Sequence, residues 1–197
     1  MSHYFTDKPQ TPHDEKLLTT TLRGREFSFY TDSGVFSKDA VDFGSRTLIE
    51  TMVIPDGAAV LDMGCGWGPV GITAARINPA GTVLLVDVNT RALALAERNI
   101  IINNVTNATT LASDLYAKLE AETFDIILTN PPIRAGKSVV HAIFSGAVDR
   151  LNSDGSLWVV MQKKQGAPSA EKRLRELFRE VHIRARNKGY YVFRAVK

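Results

Sequence analysis

The chain has 197 residues, 44% hydrophobic and 23% charged, with a formal net charge of +3. That is an ordinary globular composition, enough chain for one domain with a full core. One cysteine excludes an internal disulfide framework and suits a reducing cytoplasm, and no apolar run approaches a membrane span. Residues 1–16 are too polar for a secretory leader.

In chain order, residues 18–31 read as a hairpin turning at Arg23-Gly24-Arg25, the shape of a small lid or ledge. Strands are expected near 58–63, 82–88, 108–113, 124–129 and 156–162, and helices near 69–77, 90–103, 137–150 and 169–179. The strands are near-continuous apolar runs, as in a parallel sheet covered on both faces. The second helix sets Leu93, Ala96 and Ile100 on one side. The ending differs: 181–187 and 190–196 are two strands joined at Lys188-Gly189 with no helix between them, so the last strand is antiparallel. The expected fold is α/β, a Rossmann-like doubly wound, mostly parallel seven-stranded sheet ending in an antiparallel hairpin, with a small amino-terminal β-hairpin extension.

The first strand ends in Leu61-Asp-Met-Gly-Cys-Gly-Trp-Gly-Pro69. Gly64, Gly66 and Gly68 make a turn without Cβ obstruction, and Pro69 stands where a first helical residue would stand. A helix amino terminus then faces whatever rests on the glycines. Gly66, Gly68 and Gly71 also spell a literal G-x-G-x-x-G, which alone suggests a dinucleotide. Asp62 argues otherwise, because a carboxylate two residues before the first glycine repels a pyrophosphate. It suits a ligand bearing an ammonium group, and S-adenosylmethionine (SAM) carries both an ammonium and a sulfonium. The next strand ends in Asp87, roughly 20 residues after the turn, at the place of a ribose-hydroxyl acceptor. A third ends in Ser113-Asp-Leu115, where Asp114 could accept from an adenine amino group; a strand-end turn is the plainer alternative.

The fourth strand stops on Asn130-Pro131-Pro132. Asn130 offers an amide oxygen, and the two prolines, with fixed φ and no N–H, turn the backbone rigidly so that the Pro131 carbonyl can point outward. Two acceptors at a strand end suit one task, gripping the hydrogens of an –NH2 group. An ordinary turn is the alternative, and the glycine turn and Asp87 weigh against it.

These residues carry a resemblance. LDMGCGWG, VDVN, ASDLY and FDIILTNPPIRAGK resemble the class I SAM-dependent methyltransferases, and within them the ribosomal RNA guanine amino-methyltransferases of the small-domain, RsmC-like type. Gly34-Val-Phe-Ser-Lys38 and Asp42-Phe-Gly-Ser45 are similar to that family's leading segment. The resemblance implies a single SAM-dependent methyltransferase domain over 1–197, with 1–40 an extension or ledge and 41–197 the catalytic core. It implies Asn130, Pro131 and Pro132 as catalytic residues. Cofactor binding falls to Asp62, Gly64, Cys65, Gly66, Trp67, Gly68, Asp87, Val88, Asn89, Ser113, Asp114, Leu115 and Asn130. Substrate binding falls to Phe36, Ser37, Lys38, Ile133, Arg134, Lys137, Lys163 and Lys164. Ile133 stands where many relatives carry an aromatic residue, and the stand-alone domain resembles a single-domain branch of the family.

Charge points the same way. Residues 163–197 hold 11 Lys/Arg against three Asp/Glu, a net +8, while residues 1–162 carry a net −5. A basic end suggests a polyanionic partner, which the resemblance implies is ribosomal RNA or a ribosomal particle, and Lys163 and Lys164 follow a strand at its carboxyl end, where open α/β sheets bind ligands. A solvated face is the alternative. The expected chemistry is transfer of the SAM methyl to a nucleobase amino nitrogen, which the resemblance implies is that of guanine. Rivals are a nicotinamide oxidoreductase, a protein-glutamine N-methyltransferase with the same Asn-Pro-Pro chemistry, and a SAM-responsive RNA-binding module without turnover. His3, His13, His141 and His182 share no ligand spacing with one another or with Cys65, so no metal is expected.

Overall fold

The computed structural model describes residues 12–197; residues 1–11, with His3 and the start of the expected 1–40 extension, lie outside the described residues. The elements are β1 (Lys16–Leu22), β2 (Arg25–Thr31), α1 (Phe43–Thr51), β3 (Ala59–Met63), α2 (Pro69–Ile77), β4 (Thr82–Asp87), α3 (Thr90–Ile102), β5 (Ala108–Ala112), β6 (Phe124–Thr129), α4 (Lys137–Arg150), β7 (Leu151–Gln162), α5 (Ala167–Leu177), β8 (Glu180–Asn187) and β9 (Tyr190–Val196). Seven strands form one sheet in the order β5-β4-β3-β6-β7-β9-β8, and β1-β2 is a separate hairpin. Strands β3 to β7 are parallel, and β9 inserts antiparallel between β7 and β8. The sheet is thus the expected Rossmann-like one with its closing hairpin.

The chain winds outward from β3 through β4 to β5, then returns to lay β6 on the other side of β3. Where the winding direction reverses, the loops after β3 and β6 diverge and leave a crevice at the carboxyl ends of the strands. Apolar side chains fill both faces of the sheet. Phe29, Leu48, Trp67 and Ile72 belong to the layer under the hairpin and α1–α3, and Phe144, Leu157, Leu174 and Phe193 to the layer under α4 and α5.

Polar contacts anchor the amino-terminal hairpin at its turn and along its edge. Its turn sets Arg23 and Gly24 at φ 53° and 70°, the primed geometry that suits a two-residue hairpin loop. Arg23 Nη1 donates to the carbonyls of Ile49, Glu50 and Met52 at the carboxyl end of α1, and its N–H donates to Glu50 Oε1 at 2.9 Å. A guanidinium there satisfies carbonyls that no intrahelical N–H can reach. The free edge of β2 is closed by two amides. Asn99 bonds the N–H and C=O of Tyr30, and Asn103 those of Ser28. Four residues along a helix rise about 6 Å, close to two residues along a strand, so Asn99 and Asn103 match the strand repeat.

Three features differ from the sequence expectation. Helix α1 is not anticipated, because Phe43-Gly-Ser-Arg-Thr-Leu-Ile-Glu-Thr51 is rich in weak helix formers. It forms because Leu48, Ile49 and Met52 are fully buried and both ends are capped. Strand β7 begins at Leu151, which pairs with Phe124 before a register break. The intervening Asn152-Ser-Asp-Gly155, with Asp154 at φ 62°, has turn chemistry and hides the strand start. Helix α5 runs two residues earlier than expected at each end, starting after Gly166 and stopping where Phe178 turns extended. Among the described residues, no helix is long and apolar enough to cross a membrane.

Candidate active site

The crevice at the switch point is a cavity of about 810 Å³, within the range of small-molecule sites. Its floor is the turn after β3. Gly64 and Cys65 donate their N–H groups to the Val86 carbonyl at 2.8 and 3.0 Å, tying the turn to β4. Gly64 and Gly66 have φ 75° and 56°, and a Cβ on either would meet no protein atom within 4 Å. The open side of the turn is the cavity itself, so the glycines leave a ligand room to lie against backbone.

Two carboxylates stand behind this turn. Asp62, on β3, is 2% exposed, and its Oδ2 accepts from Gly71 N–H at 2.7 Å. Burial, opposed by that bond and reinforced by the charge of Asp87, pushes its carboxyl up to about 7. Asp87 ends β4, with Oδ2 accepting from Gly66 N–H and Oδ1 from Asn89 N–H, both at 2.8 Å. Burial raises its carboxyl too, against the pull of those backbone bonds. Two neighbouring acids with raised pKa values beside an open glycine turn favour a cationic ligand. Burial together with both acids drives the Cys65 thiol well above its usual range, so it stays protonated and is no nucleophile.

The third wall is the loop after β6. Thr129 is fully buried, and its hydroxyl donates to the Met63 carbonyl at 2.9 Å, locking the ends of β6 and β3 together. Asn130 follows. Its Nδ2 donates to Asp42 Oδ2 at 3.0 Å and to Ser45 Oγ at 2.9 Å. The nitrogen is therefore committed to two acceptors, and Oδ1 remains an acceptor for something else. No backbone N–H among the described residues bonds the Pro131 carbonyl, whereas that of Pro132 accepts from Ala135 N–H.

Asp42 and Ser45 sit at the start of α1. Asp42 Oδ2 caps that helix by accepting from Gly44 and Ser45 N–H at 2.9 and 3.2 Å. The Tyr190 ring of β9 closes over this turn; a Cβ at position 44 would stand 2.9 Å from both Asp42 Oδ2 and Tyr190 Cε1. Burial, with the charge of Asp42, raises the Tyr190 hydroxyl above its ordinary range.

Most of the expected site residues converge here. Asp62, Gly64, Cys65, Gly66, Asp87, Val88, Ser113, Asp114 and Leu115, at and after the ends of β3, β4 and β5, line the cavity together with Asn130, Pro131, Pro132, Ile133 and Arg134 after β6. Phe36, Ser37 and Lys38 form the rim. Trp67 lines the cavity, but its indole N–H donates to the Phe36 carbonyl at 2.9 Å and holds that rim. Asn89 also lines it, with its amide oxygen spent on capping α3 and its nitrogen on the Gly34 carbonyl. Ser113 Oγ accepts from Lys118 N–H.

Four expected residues lie elsewhere. Gly68 starts α2 with φ 96°, turned toward Ile72 rather than the cavity. Lys137 lines a smaller neighbouring pocket of about 150 Å³ with His141 and Gln165. Lys163 and Lys164 are exposed on a single 3₁₀ turn after β7, outside the cavity that Gln165 reaches. Asp42, Ser45 and Tyr190 have no role assigned from the sequence; Asp42-Phe-Gly-Ser45 stands out there only as similar to the family's leading segment, and Tyr190 carries no signal. Among the described residues no three His, Cys, Asp or Glu side chains converge as a metal site.

Comparison with known proteins agrees with this geometry. The pattern of the methyltransferase small domain family matches residues 26–194. The chain is 47% identical over 197 residues to the uncharacterized protein YbxB of Bacillus subtilis (strain 168), covering 99% of this chain and 98% of that one. It is 32% identical over 176 residues to ribosomal RNA small subunit methyltransferase C of Erwinia tasmaniensis, covering 87% of this chain and 50% of that enzyme. A solved structure of the Thermus thermophilus 16S rRNA N2 G1207 methyltransferase (RsmC), in complex with AdoMet and guanosine, superposes with a TM-score of 0.83 at 28% identity, covering 94% of this chain and 51% of that one. The chain thus spans about half the length of the ribosomal RNA methyltransferases it matches. An open glycine turn beside buried Asp62 and half-buried Asp87, inside a sheet that closes with β9 between β7 and β8, fits SAM and leaves the nicotinamide alternative without support. The chain belongs to the methyltransferase small domain family and is a SAM-dependent methyltransferase.

Proposed function

We propose that this enzyme methylates the exocyclic amino nitrogen of guanine in ribosomal RNA. The observation that carries the reading is the state of Asn130: its amide nitrogen is held by Asp42 and Ser45, so an acceptor oxygen is left beside the Pro131 carbonyl at the mouth of the SAM site. The guanine target is supported by the ribosomal RNA methyltransferases among the relatives and by the guanosine-bound structural neighbour.

Bound SAM supplies an electrophilic methyl on a sulfonium centre. The lone pair of a nucleobase amino group is delocalised into its ring and is a poor nucleophile. Asn130 Oδ1 and the Pro131 carbonyl accept the two N–H hydrogens and draw the nitrogen toward tetrahedral geometry, which frees its lone pair. That nitrogen would take the methyl that SAM would supply, with the thioether as leaving group, and one of its N–H protons would pass to solvent. No strong base is required before transfer. The protein contributes orientation and fixed dipoles. Pro132 holds the loop, and Asp62, Asp87 and the glycine turn hold the cofactor. Phe36, Ser37, Lys38, Ile133 and Arg134 surround the base, with Lys137, Lys163 and Lys164 on the outer RNA path.

Mass spectrometry of ribosomal nucleosides from cells with and without the gene tests this. An N-methylated guanosine should be absent from the deletion strain, restored by wild type and not by Asn130→Ala. In single-turnover assays on that RNA, Asn130→Ala should slow transfer about 100-fold or more, in line with loss of a preorganised group at a reacting centre. Identical nucleoside profiles in both strains, or an unchanged Asn130→Ala rate, would overturn the reading.

A further inference from the structure

The Asn130 amide is held by a group whose own chemistry goes further than holding. Asp42 Oδ2 accepts three hydrogen bonds, from Gly44 N–H, Ser45 N–H and Asn130 Nδ2. Its other oxygen, Oδ1, accepts none from the described residues, and Asp42 lines the cavity next to Asn130. An N-cap alone does not demand a carboxylate, since Asn or Ser caps as well. An ionised carboxylate differs from both in being acceptor-only. Facing Asn130, it forces the amide nitrogen inward and the amide oxygen out. At its free oxygen it offers an acceptor and repels a lone pair.

Resting on the reading above, we propose that Asp42 is a positioning residue for Asn130 and the specificity-determining contact that selects guanine. Guanine carries its N1–H directly beside the 2-amino group, so on that edge the amino group and its ring neighbour are both donors, while N3 on the other edge is an acceptor. In adenine and cytosine the ring nitrogen beside the amino group is an acceptor. With the amino hydrogens on Asn130 Oδ1 and the Pro131 carbonyl, the adjacent ring position faces the side occupied by Asp42, only 3.0 Å from the Asn130 amide. Guanine N1–H then donates to Asp42 Oδ1, whereas adenine N1 or cytosine N3 would set a lone pair against a carboxylate. A site built to bond a polar group rejects an analogue lacking it strongly, because its own polar group is left without a partner. Asp42 thereby couples two tasks through one carboxylate, orienting the acceptor for the amino group and reading the atom next to it.

Asp42→Asn separates these tasks from folding. The substituted amide still caps α1 and can still accept from Asn130, but its second position becomes a donor. Protein loaded with S-adenosylhomocysteine is titrated with GMP, 1-methyl-GMP and AMP by ligand-observed NMR, and transfer is followed on ribosomal RNA from the deletion strain. In wild type, GMP, which keeps both N1–H and the amino group, should bind about 10-fold or more tighter than 1-methyl-GMP and AMP, the range for one well-placed readout contact. Asp42→Asn should retain S-adenosylhomocysteine affinity within about 3-fold, lose about 10- to 100-fold in transfer to guanine, and bring the GMP/AMP affinity ratio near unity. Ser45→Ala, which removes only the second acceptor of the Asn130 amide, should slow transfer while preserving that ratio. Equal wild-type affinity for AMP and GMP, or an Asp42→Asn ratio unchanged from wild type, would overturn the assignment while leaving amino-nitrogen methylation standing. A GMP/AMP ratio that falls equally in Ser45→Ala would overturn the N1–H contact and return selectivity to Asn130. Absence of any N-methylguanosine from wild-type reactions would instead remove the functional reading beneath both.

Discussion

Asp62 offers a quantitative test of the cofactor site. In the folded protein its carboxyl is held up at about 7, first by burial and then by Asp87, against an ordinary value of 3.8. Between those two pH values the folded state binds a proton that the unfolded state has released. Stability therefore falls as pH rises through this window, by up to about 1.4 kcal/mol per unit, and the loss is complete above about 7. Over the whole window the cost is roughly 4.4 kcal/mol at the upper limit. Asp62→Asn keeps an oxygen to accept from Gly71 N–H but never ionises. Without SAM, the variant and wild type should have similar stability near pH 4.5, and the variant should be more stable by about 2–4 kcal/mol at pH 8. For a chain of this size that is roughly 5–15 °C in melting temperature. SAM should reverse the order, because its cationic groups favour the ionised acid: wild-type affinity should rise from pH 6 to 7.5, while Asp62→Asn binds more weakly with a flat profile. Thermal melts and calorimetry across pH 4.5–8 measure both. Parallel wild-type and Asp62→Asn stability curves would refute the raised carboxyl, and unchanged SAM affinity in the variant would remove Asp62 from the cofactor site.

Asp87→Ala should weaken SAM binding by about 1.5–3 kcal/mol, the range for hydrogen bonds to a charged group, with unchanged calorimetric affinity as the contrary result. Gly71→Ala should cost about 1–3 kcal/mol of stability in chemical denaturation, since its Cβ would stand 2.7 Å from Leu85 Cγ and 2.9 Å from Asp62 Oδ2. Lys163→Ala combined with Lys164→Ala should weaken RNA binding and flatten its salt slope by somewhat under 2 units, at about 0.7 per single-stranded phosphate contact, with SAM affinity preserved. An unchanged slope would return both lysines, which lie outside the cavity, to a solvated face.

The chemistry of the cofactor side was legible in the sequence because each part of it is local. The glycine turn, Asp87 and Asn-Pro-Pro are each a strand end with its following residues, and a parallel sheet gathers strand ends at one edge whatever the loops do. The alternation of apolar runs with helices, and the helix-free ending, similarly announced a doubly wound sheet closed by a hairpin. What the sequence could not announce is the contact between Asp42 and Asn130, which lie 88 positions apart. Helix α1, which presents Asp42, is built from weak helix formers and owes its existence to buried Leu48, Ile49 and Met52 and to the Arg23 guanidinium at its far end. The same holds for Asn99 and Asn103, ordinary helix residues by sequence that close the edge of β2 in space. Local patterning thus determined which residues line the cavity. Tertiary packing decided which way the Asn130 amide faces, because orientation depends on a partner brought from a distant helix, and no spacing along the chain encodes it.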